Sequence, residues 1–112
     1  MEVVEGGRRG RIAVLQVQGK LDASTAPVLL ERCAQVQANG EDLVLSLAGI
    51  TFLGSSGVGA MLVLVEQFTE QAGKIHFAAL SEPVRAVVDL LDLAQYLPIH
   101  ETVEEAVAAM EN

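Results

Sequence analysis

The sequence predicts an α/β fold: a central mixed, mostly parallel β-sheet of four to five strands with about four α-helices. Segments with strand-like patterns alternate along the chain with segments of helical periodicity, an order that implies right-handed crossovers between parallel strands. The chain is 51% hydrophobic but only 4% aromatic, so its core must consist of Val, Leu, Ile and Ala, as is typical of strands covered by helices. Its 112 residues suit a single domain over residues 1–112.

The first third of the chain predicts a hairpin followed by a helix. Residues 2–5 form a short edge strand, the glycines of residues 6–10 indicate a turn, and residues 12–17 form the second strand. A helix follows, with Ser24 or Thr25 as its N-cap. Its apolar stripe consists of Leu29, Leu30, Cys33 and Val36.

The middle of the chain predicts a strand followed by a strongly apolar helix. Residues 43–47 form a buried strand, residues 50–53 continue its apolar pattern, and a helix runs from about Ser56 to Ala72. Polar residues appear on the outer face of this helix only from Glu66 onward, so either another helix or a partner protein must cover that face. We expect one set to face the sheet (Val58, Met61, Leu62, Val65 and Phe68) and another to point away from it (Ala60, Val63 and Leu64).

The last third predicts two further strands and two further helices. A strand at residues 75–79 precedes a helix capped by Ser81, and residues 97–99 form a short final strand. The sequence Thr102-Val103-Glu104-Glu105 has the capping-box pattern that begins a last helix. The buried stripes of these helices are Val84, Val87, Val88 and Leu91 in the first and Val103, Ala106, Val107 and Met110 in the second.

Composition limits the partners that this protein can bind. The net charge of −8 argues against direct contact with nucleic acid or an anionic membrane surface. The apolar run of residues 57–65 is far shorter than the roughly 20 residues that span a bilayer, and no signal peptide is visible, so we expect a cytoplasmic location without membrane insertion. The lone Cys33 excludes an internal disulfide and is expected to be a small core residue.

The motif Gly54-Ser55-Ser56-Gly57 lies where a buried strand meets a helix N-terminus. Backbone N–H groups and the helix dipole make such a junction receptive to an anion such as phosphate. Two uses of the serines are open: simple N-capping, which contributes about 1 kcal/mol, or modification. A phosphate would add roughly −1.5 to −2 charges. At the edge of an apolar docking surface, such a group would oppose docking.

The same motif fails the patterns of known catalytic sites. A serine elbow, G-x-S-x-G, requires a glycine where Val58 stands, and a phosphate-binding P-loop requires a lysine that is missing. One cysteine and two distant histidines, His76 and His100, offer no metal site. We therefore expect no enzyme activity, no cofactor and no metal, and keep a small enzyme that uses Ser55 or Ser56 as an alternative.

Five segments, in this order and spacing, resemble the STAS domain family over essentially the whole chain, and most closely its stand-alone bacterial anti-sigma factor antagonists. They are Gly19-Lys20-Leu21-Asp22, Leu43–Leu47, Phe52–Gly59, Val88–Leu93 and Val103–Met110.

The resemblance implies a regulatory binding module that takes part in transcription regulation. In the family, the serine that aligns with Ser55 is phosphorylated by a partner anti-sigma factor that is itself a serine kinase. The unphosphorylated antagonist binds that partner and frees the sigma factor, and a separate phosphatase reverses the modification.

The resemblance also implies a partner-binding surface. Asp22 matches an acidic residue near the phosphorylation site, and Ser56 is the neighbour of Ser55 and the helix cap. At Gly54 the chain departs from the family, which usually has Asp there. Some STAS proteins dock constitutively as accessory subunits of signalling or transport complexes, which is the second reading. The expected partner-binding residues are Asp22, Ser56, Gly57, Val58, Gly59, Ala60, Val63 and Leu64.

Overall fold

The computed structural model describes residues 1–111, which form a five-stranded sheet and four α-helices. The first half contains β1 (Glu2–Arg9), β2 (Ile12–Leu21), α1 (Ala26–Ala38) and β3 (Asp42–Leu53). The second half contains α2 (Ser55–Glu70), β4 (Ile75–Ala78), α3 (Glu82–Leu90), a 3₁₀ turn (Leu93–Gln95), β5 (Ile99–His100) and α4 (Val103–Glu111).

The sheet has the mixed, mostly parallel topology that the sequence predicts. Its strands lie in chain order, β1-β2-β3-β4-β5, with β1 antiparallel to β2 and every other neighbouring pair parallel. Parallel strands that follow one another in chain order place successive right-handed crossovers on one face of the sheet. The helices α1, α2 and α3 accordingly share one hydrophobic core.

The opposite face of the sheet carries a smaller core under α4. Ile12, Val14, Val44 and Ala78 supply its sheet side, and the helix supplies the three buried side chains Ala106, Val107 and Met110. The oxygen of Thr102 accepts a hydrogen bond from the Glu105 N–H at 3.0 Å, as the capping-box pattern predicts.

Strand lengths differ from the sequence predictions. The strand β1 continues through the glycines to Arg9, with a register irregularity between Glu5 and Arg8, and the turn is confined to Gly10 and Arg11. The strands β2 and β3 extend together to the pair Leu21–Leu53, because each supplies the other's hydrogen-bond partners over the glycines that interrupt the apolar pattern.

The predicted orientation of α2 is confirmed for Met61 and Phe68, which are buried, and wrong for three other side chains. Ala60 and Leu64, expected to point away from the core, are only 4% and 0% exposed, whereas Leu62, expected to face the sheet, is 39% exposed. The physical reason is that α2 packs against both the sheet and α1, so that its buried stripe is Gly57, Ala60, Met61, Leu64 and Phe68. A second helix therefore covers part of the outer face, and Val63 remains 41% exposed.

Two smaller corrections concern the end of the chain. Leu91 follows the last residue of α3 and is exposed rather than part of its buried stripe, which consists of Val84 and Val88 with Val87 partly buried. The final strand is Ile99–His100 rather than residues 97–99, and Leu97 instead packs in the main core.

Candidate functional site

The junction between β3 and α2 is held in place by the end of β2. The N–H of Gly54 donates to the Leu21 carbonyl at 2.9 Å, and the Gly54 carbonyl accepts from the N–H groups of Gly57 and Val58 at 3.0 and 3.1 Å. Gly54 is thus the N-cap, with an extended backbone (φ −91°, ψ 176°). The first helical residues are Ser55 and Ser56.

Gly57 allows the helix to approach the sheet closely. A Cβ atom at this position would lie 2.6 Å from Leu53 Cδ1 and 2.9 Å from both the Cγ atom and the carbonyl oxygen of Leu21. Gly59, half a turn further on, has no atom within 4 Å of its Cβ position. The two glycines of the motif therefore differ: packing requires the first, and nothing within this chain requires the second.

The serines do not cap α2, which contradicts the prediction for Ser56. The N-cap position belongs to Gly54, which has no side chain, and no side-chain cap hydrogen bond is present. Both Ser55 and Ser56 are exposed, and the first turn of α2 contains no acidic residue. The N–H groups of Ser55 and Ser56 have no partner within the helix, so the partial positive charge of this end lies beside the two serines with no acidic side chain of the first turn to offset it.

Asp22 lies in the loop that adjoins this junction, one residue beyond the Leu21–Leu53 pair. Its Oδ1 accepts hydrogen bonds from the N–H and hydroxyl of Ser24 at 3.0 and 2.7 Å and from the Thr25 N–H at 3.3 Å. The hydrogen bond from the Ser24 side chain, together with those from the two backbone N–H groups, lowers the pKa of Asp22, although desolvation opposes the shift. This carboxylate therefore organises the start of α1, whatever else it contacts.

An apolar strip that is exposed at Leu62 and Val63 runs along α2 on the C-terminal side of the serines. Gly59, Leu62 and Val63 follow Ser55 at spacings of three and four residues, which places them on one side of the helix. Leu62 and Val63 are 39% and 41% exposed. We call Gly59, Leu62 and Val63 the α2 strip.

The structure separates the sequence-predicted site residues into two groups. Ser55, Ser56 and Val63 are exposed, while Asp22, Val58 and Gly59 are partly buried. Gly57, Ala60 and Leu64 belong to the core and cannot contact a partner on the surface of this structure.

Sequence reasoning missed two exposed apolar residues beside the serines. Leu62 was assigned to the core, and Phe52, 49% exposed, was treated as part of a buried strand. The Phe52 ring lies over Gly54, with Cε2 3.2 Å from the position of a Cβ atom there. The sequence carries no signal for the exposure of Phe52, because Ile50-Thr51-Phe52-Leu53 fits a regular strand, and only the structure shows that Thr51 and Phe52 are both exposed.

The two histidines lie together, and not near the serines. His76 Nδ1 is 2.8 Å from His100 Nε2, and His76 is paired with Val44 on β3. Val44 lies nine residues before Leu53, where β3 ends, which corresponds to about 30 Å at about 3.3 Å per residue. This geometry provides no histidine base for Ser55 or Ser56.

Cys33 is fully buried in the main core, as predicted. Burial raises the pKa of its thiol to about 12, and the charge of Arg32 opposes the shift only weakly. Among residues 1–111, no three His, Cys, Asp or Glu side chains are grouped so that they would hold a metal ion. None of the helices in that range has the length and apolarity needed to cross a membrane.

The fold and this junction define an α/β domain whose most distinctive surface is an exposed serine pair at a helix N-terminus, beside apolar side chains. The chain belongs to the STAS domain family, whose sequence profile matches residues 5–106. This confirms the family that the sequence motifs indicated.

Individual relatives agree with this assignment. The chain is 26% identical over 85 residues to the anti-sigma-B factor antagonist of Bacillus subtilis, covering 76% of this chain and 78% of that protein. The crystal structure of an anti-sigma factor antagonist from Mycobacterium paratuberculosis superposes with a TM-score of 0.83 at 24% identity, covering 99% and 96% of the two chains. The phosphorylated form of the Bacillus cell fate determinant SpoIIAA superposes with a TM-score of 0.70 at 20% identity, covering 96% and 98%.

Proposed function

We propose that this protein is an anti-sigma factor antagonist that binds a kinase-type anti-sigma factor in the cytoplasm and is released when Ser55 is phosphorylated. The observation that carries the proposal is the exposure of Ser55 at the uncapped N-terminus of α2, directly above the α2 strip. The names of its relatives support the role. A phosphatase would restore the binding form.

The position of Ser55 supports a modification that leaves the fold intact. A phosphate on its hydroxyl meets the positive end of α2, where anions are favoured, and no carboxylate of the first turn repels it. Gly54 also favours a phosphate on Ser55, because an Asp at position 54 would place a second negative charge beside the phosphate. The departure from the family at position 54 is therefore compatible with phosphorylation of Ser55.

The α2 strip supports a mechanism by which phosphorylation of Ser55 would release the partner. A kinase must bring its reacting phosphate within about 3–3.5 Å of the serine hydroxyl, so a docked kinase surface also covers the next two helical turns. Those turns present Gly59, Leu62 and Val63. A hydrated dianion at the edge of this apolar contact would have to lose water on docking, which weakens the complex.

The experiment is phosphorylation of the purified protein by a kinase-type anti-sigma factor from the same genome, with ATP, followed by mass spectrometry. We expect one phosphate on Ser55, retained in Ser56→Ala and lost in Ser55→Ala. Phosphate on another residue contradicts the assignment of the site.

Ser55→Asp tests the switch separately. Its added charge lies at the favourable end of α2, so we expect a melting temperature close to wild type and weaker binding of the partner in calorimetry. Ser56→Asp is the matched control for a charge at the same helix end. Equal affinity of Ser55→Asp and wild type would exclude the switch.

A STAS accessory subunit that docks constitutively is the second candidate, because the same exposed strip would serve a docking surface that needs no switch. It predicts tight binding with no phosphate on any serine. A serine-dependent enzyme is disfavoured by the distance between the histidines and Ser55.

A further inference from the structure

His76 and His100 form a side-chain bridge between the last two strands of the sheet. Their Nδ1 and Nε2 atoms are 2.8 Å apart, the ring planes differ by 6°, and the ring centroids are 5.0 Å apart. The centroid distance exceeds the nitrogen distance by about two ring radii. The rings therefore meet edge to edge in one plane, as a direct N–H···N hydrogen bond requires, instead of lying face to face.

This bridge holds a short and weakly anchored edge of the sheet. The strand β5 contains two residues, and the backbone bonds that tie it and its flanks to β4 include Phe77 N–H to the Pro98 carbonyl at 2.8 Å and Ala79 N–H to the His100 carbonyl at 3.2 Å. The helix α4 begins three residues after His100, but it packs on β3 and β4 as well as on β5 and has its own core there.

The charged groups around the bridge are few. Burial lowers the pKa of His76, and the neighbouring His100 and Lys74, the residue before β4, lower it further, whereas Asp42 on β3 opposes the shift. From α4 the buried side chains are apolar, namely Ala106, Val107 and Met110, whereas its acidic side chains Glu104, Glu105 and Glu111 are exposed. Beside His100, Glu101 is exposed and pairs with Arg85 at 3.5 Å.

We propose that His76 and His100 act as a pH-operated latch that fixes β5 to the edge of the sheet. In the closed latch one facing nitrogen donates and the other accepts, so a single proton lies between them. A first additional proton enters on the outer nitrogen of the donor ring and leaves the bridge intact. A second must enter on the accepting nitrogen, which leaves two cationic rings with N–H facing N–H.

Proton counting gives the direction and size of the effect. When the latch is open and the two rings are apart, they take up two protons near the ordinary histidine pKa of about 6.5. When the latch is closed, the hydrogen-bonded pair takes up at most one. Acid therefore favours opening, by roughly tenfold for each pH unit below that pKa. The lowered pKa of His76 acts in the same direction, since it delays even the first proton in the closed state.

Amide hydrogen exchange tests the latch in the intact protein. We expect the protection factors of the Phe77 and Ala79 N–H groups to fall by roughly tenfold or more between pH 7 and pH 5. Amides of β2, in the centre of the sheet, serve as the internal reference. The matched control is His100→Gln, because the side-chain oxygen of glutamine can accept a hydrogen bond from the His76 N–H whether or not that ring is charged.

The control should keep its protection at pH 5, and an equal loss in wild type and His100→Gln would overturn the latch. A second measurement does not depend on the stability of that variant. Nitrogen-15 shifts of the two rings should titrate in two separated steps, the second coinciding with the loss of protection. Two independent titrations, each near the ordinary pKa, would also overturn it.

Discussion

The carbonyl oxygen of Leu21 lies 2.9 Å from the position that a Cβ atom of Gly57 would occupy. This contact sets the distance between the end of β2 and the first turn of α2, and the same carbonyl accepts the Gly54 N–H. Any side chain at position 57 must displace either backbone. The exposed serines are therefore presented by a junction whose geometry depends on one missing methyl group.

Gly57→Ala should destabilise the protein by about 1–3 kcal/mol, the usual cost of overpacking a tight site. Gly59→Ala is the matched control, because its methyl group enters open space and removes the helix cost of glycine, stabilising by up to about 1 kcal/mol. Urea denaturation measures both. Equal effects of the two substitutions would contradict the different roles assigned to them.

Partner binding by Gly59→Ala should be weakened despite its greater stability, if the α2 strip is the docking surface.

Leu64→Ala and Val63→Ser should separate the core of α2 from its exposed strip. The buried Leu64 side chain should cost about 2–5 kcal/mol when truncated. The half-exposed Val63 should cost much less, while its loss weakens partner binding. Thermal unfolding combined with a binding titration distinguishes them. A large loss of stability in Val63→Ser would show that this side chain belongs to the core.

Asp22→Asn tests whether the Asp22 charge is used beyond its loop. Asparagine retains the oxygen that accepts from Ser24 and Thr25, so the melting temperature at neutral pH should change little. Because hydrogen bonds lower the pKa of Asp22, the wild type loses the part of their contribution that depends on its charge as the pH falls through and below 3.8, and the uncharged variant shows no such pH dependence. Weaker partner binding by a stable variant would assign a contact to the charge, and unchanged binding would leave Asp22 with its loop role alone.

Cys33 should be unreactive in the folded protein. With its pKa raised to about 12 by burial, the thiolate is scarce at pH 8, and the side chain has no exposed surface. A disulfide-exchange reagent should label it only after denaturation, which a spectrophotometric thiol assay measures. Rapid labelling of the native protein would indicate that α1 opens locally.

Much of the fold follows from local patterns. Apolar periodicity predicts the order and type of the elements, because each helix or strand must bury one face wherever it finally packs. The glycine and serine residues at positions 54–57 similarly mark a strand-to-helix junction, since their backbone requirements are local. The family motifs then indicate Ser55 without any knowledge of its surroundings.

The outer side of α2 could not be predicted in this way. Its first turns are apolar nearly all round, so the hydrophobic pattern does not specify one orientation of the helix. Positions 62 and 64 are both leucine, so residue type does not indicate which of them is buried. The docking of Gly57 against Leu21 and the packing of α1 decide that Leu64 is buried and Leu62 is exposed.

The sequence by itself therefore determined the class of fold, the family and the serine junction, because these depend on patterns within short segments. Only the tertiary structure decided which α2 side chains reach the surface, that the serines leave the helix uncapped, and that His76 meets His100. These features arise between residues distant in the chain, and the register of neighbouring strands and the packing of helices bring them together.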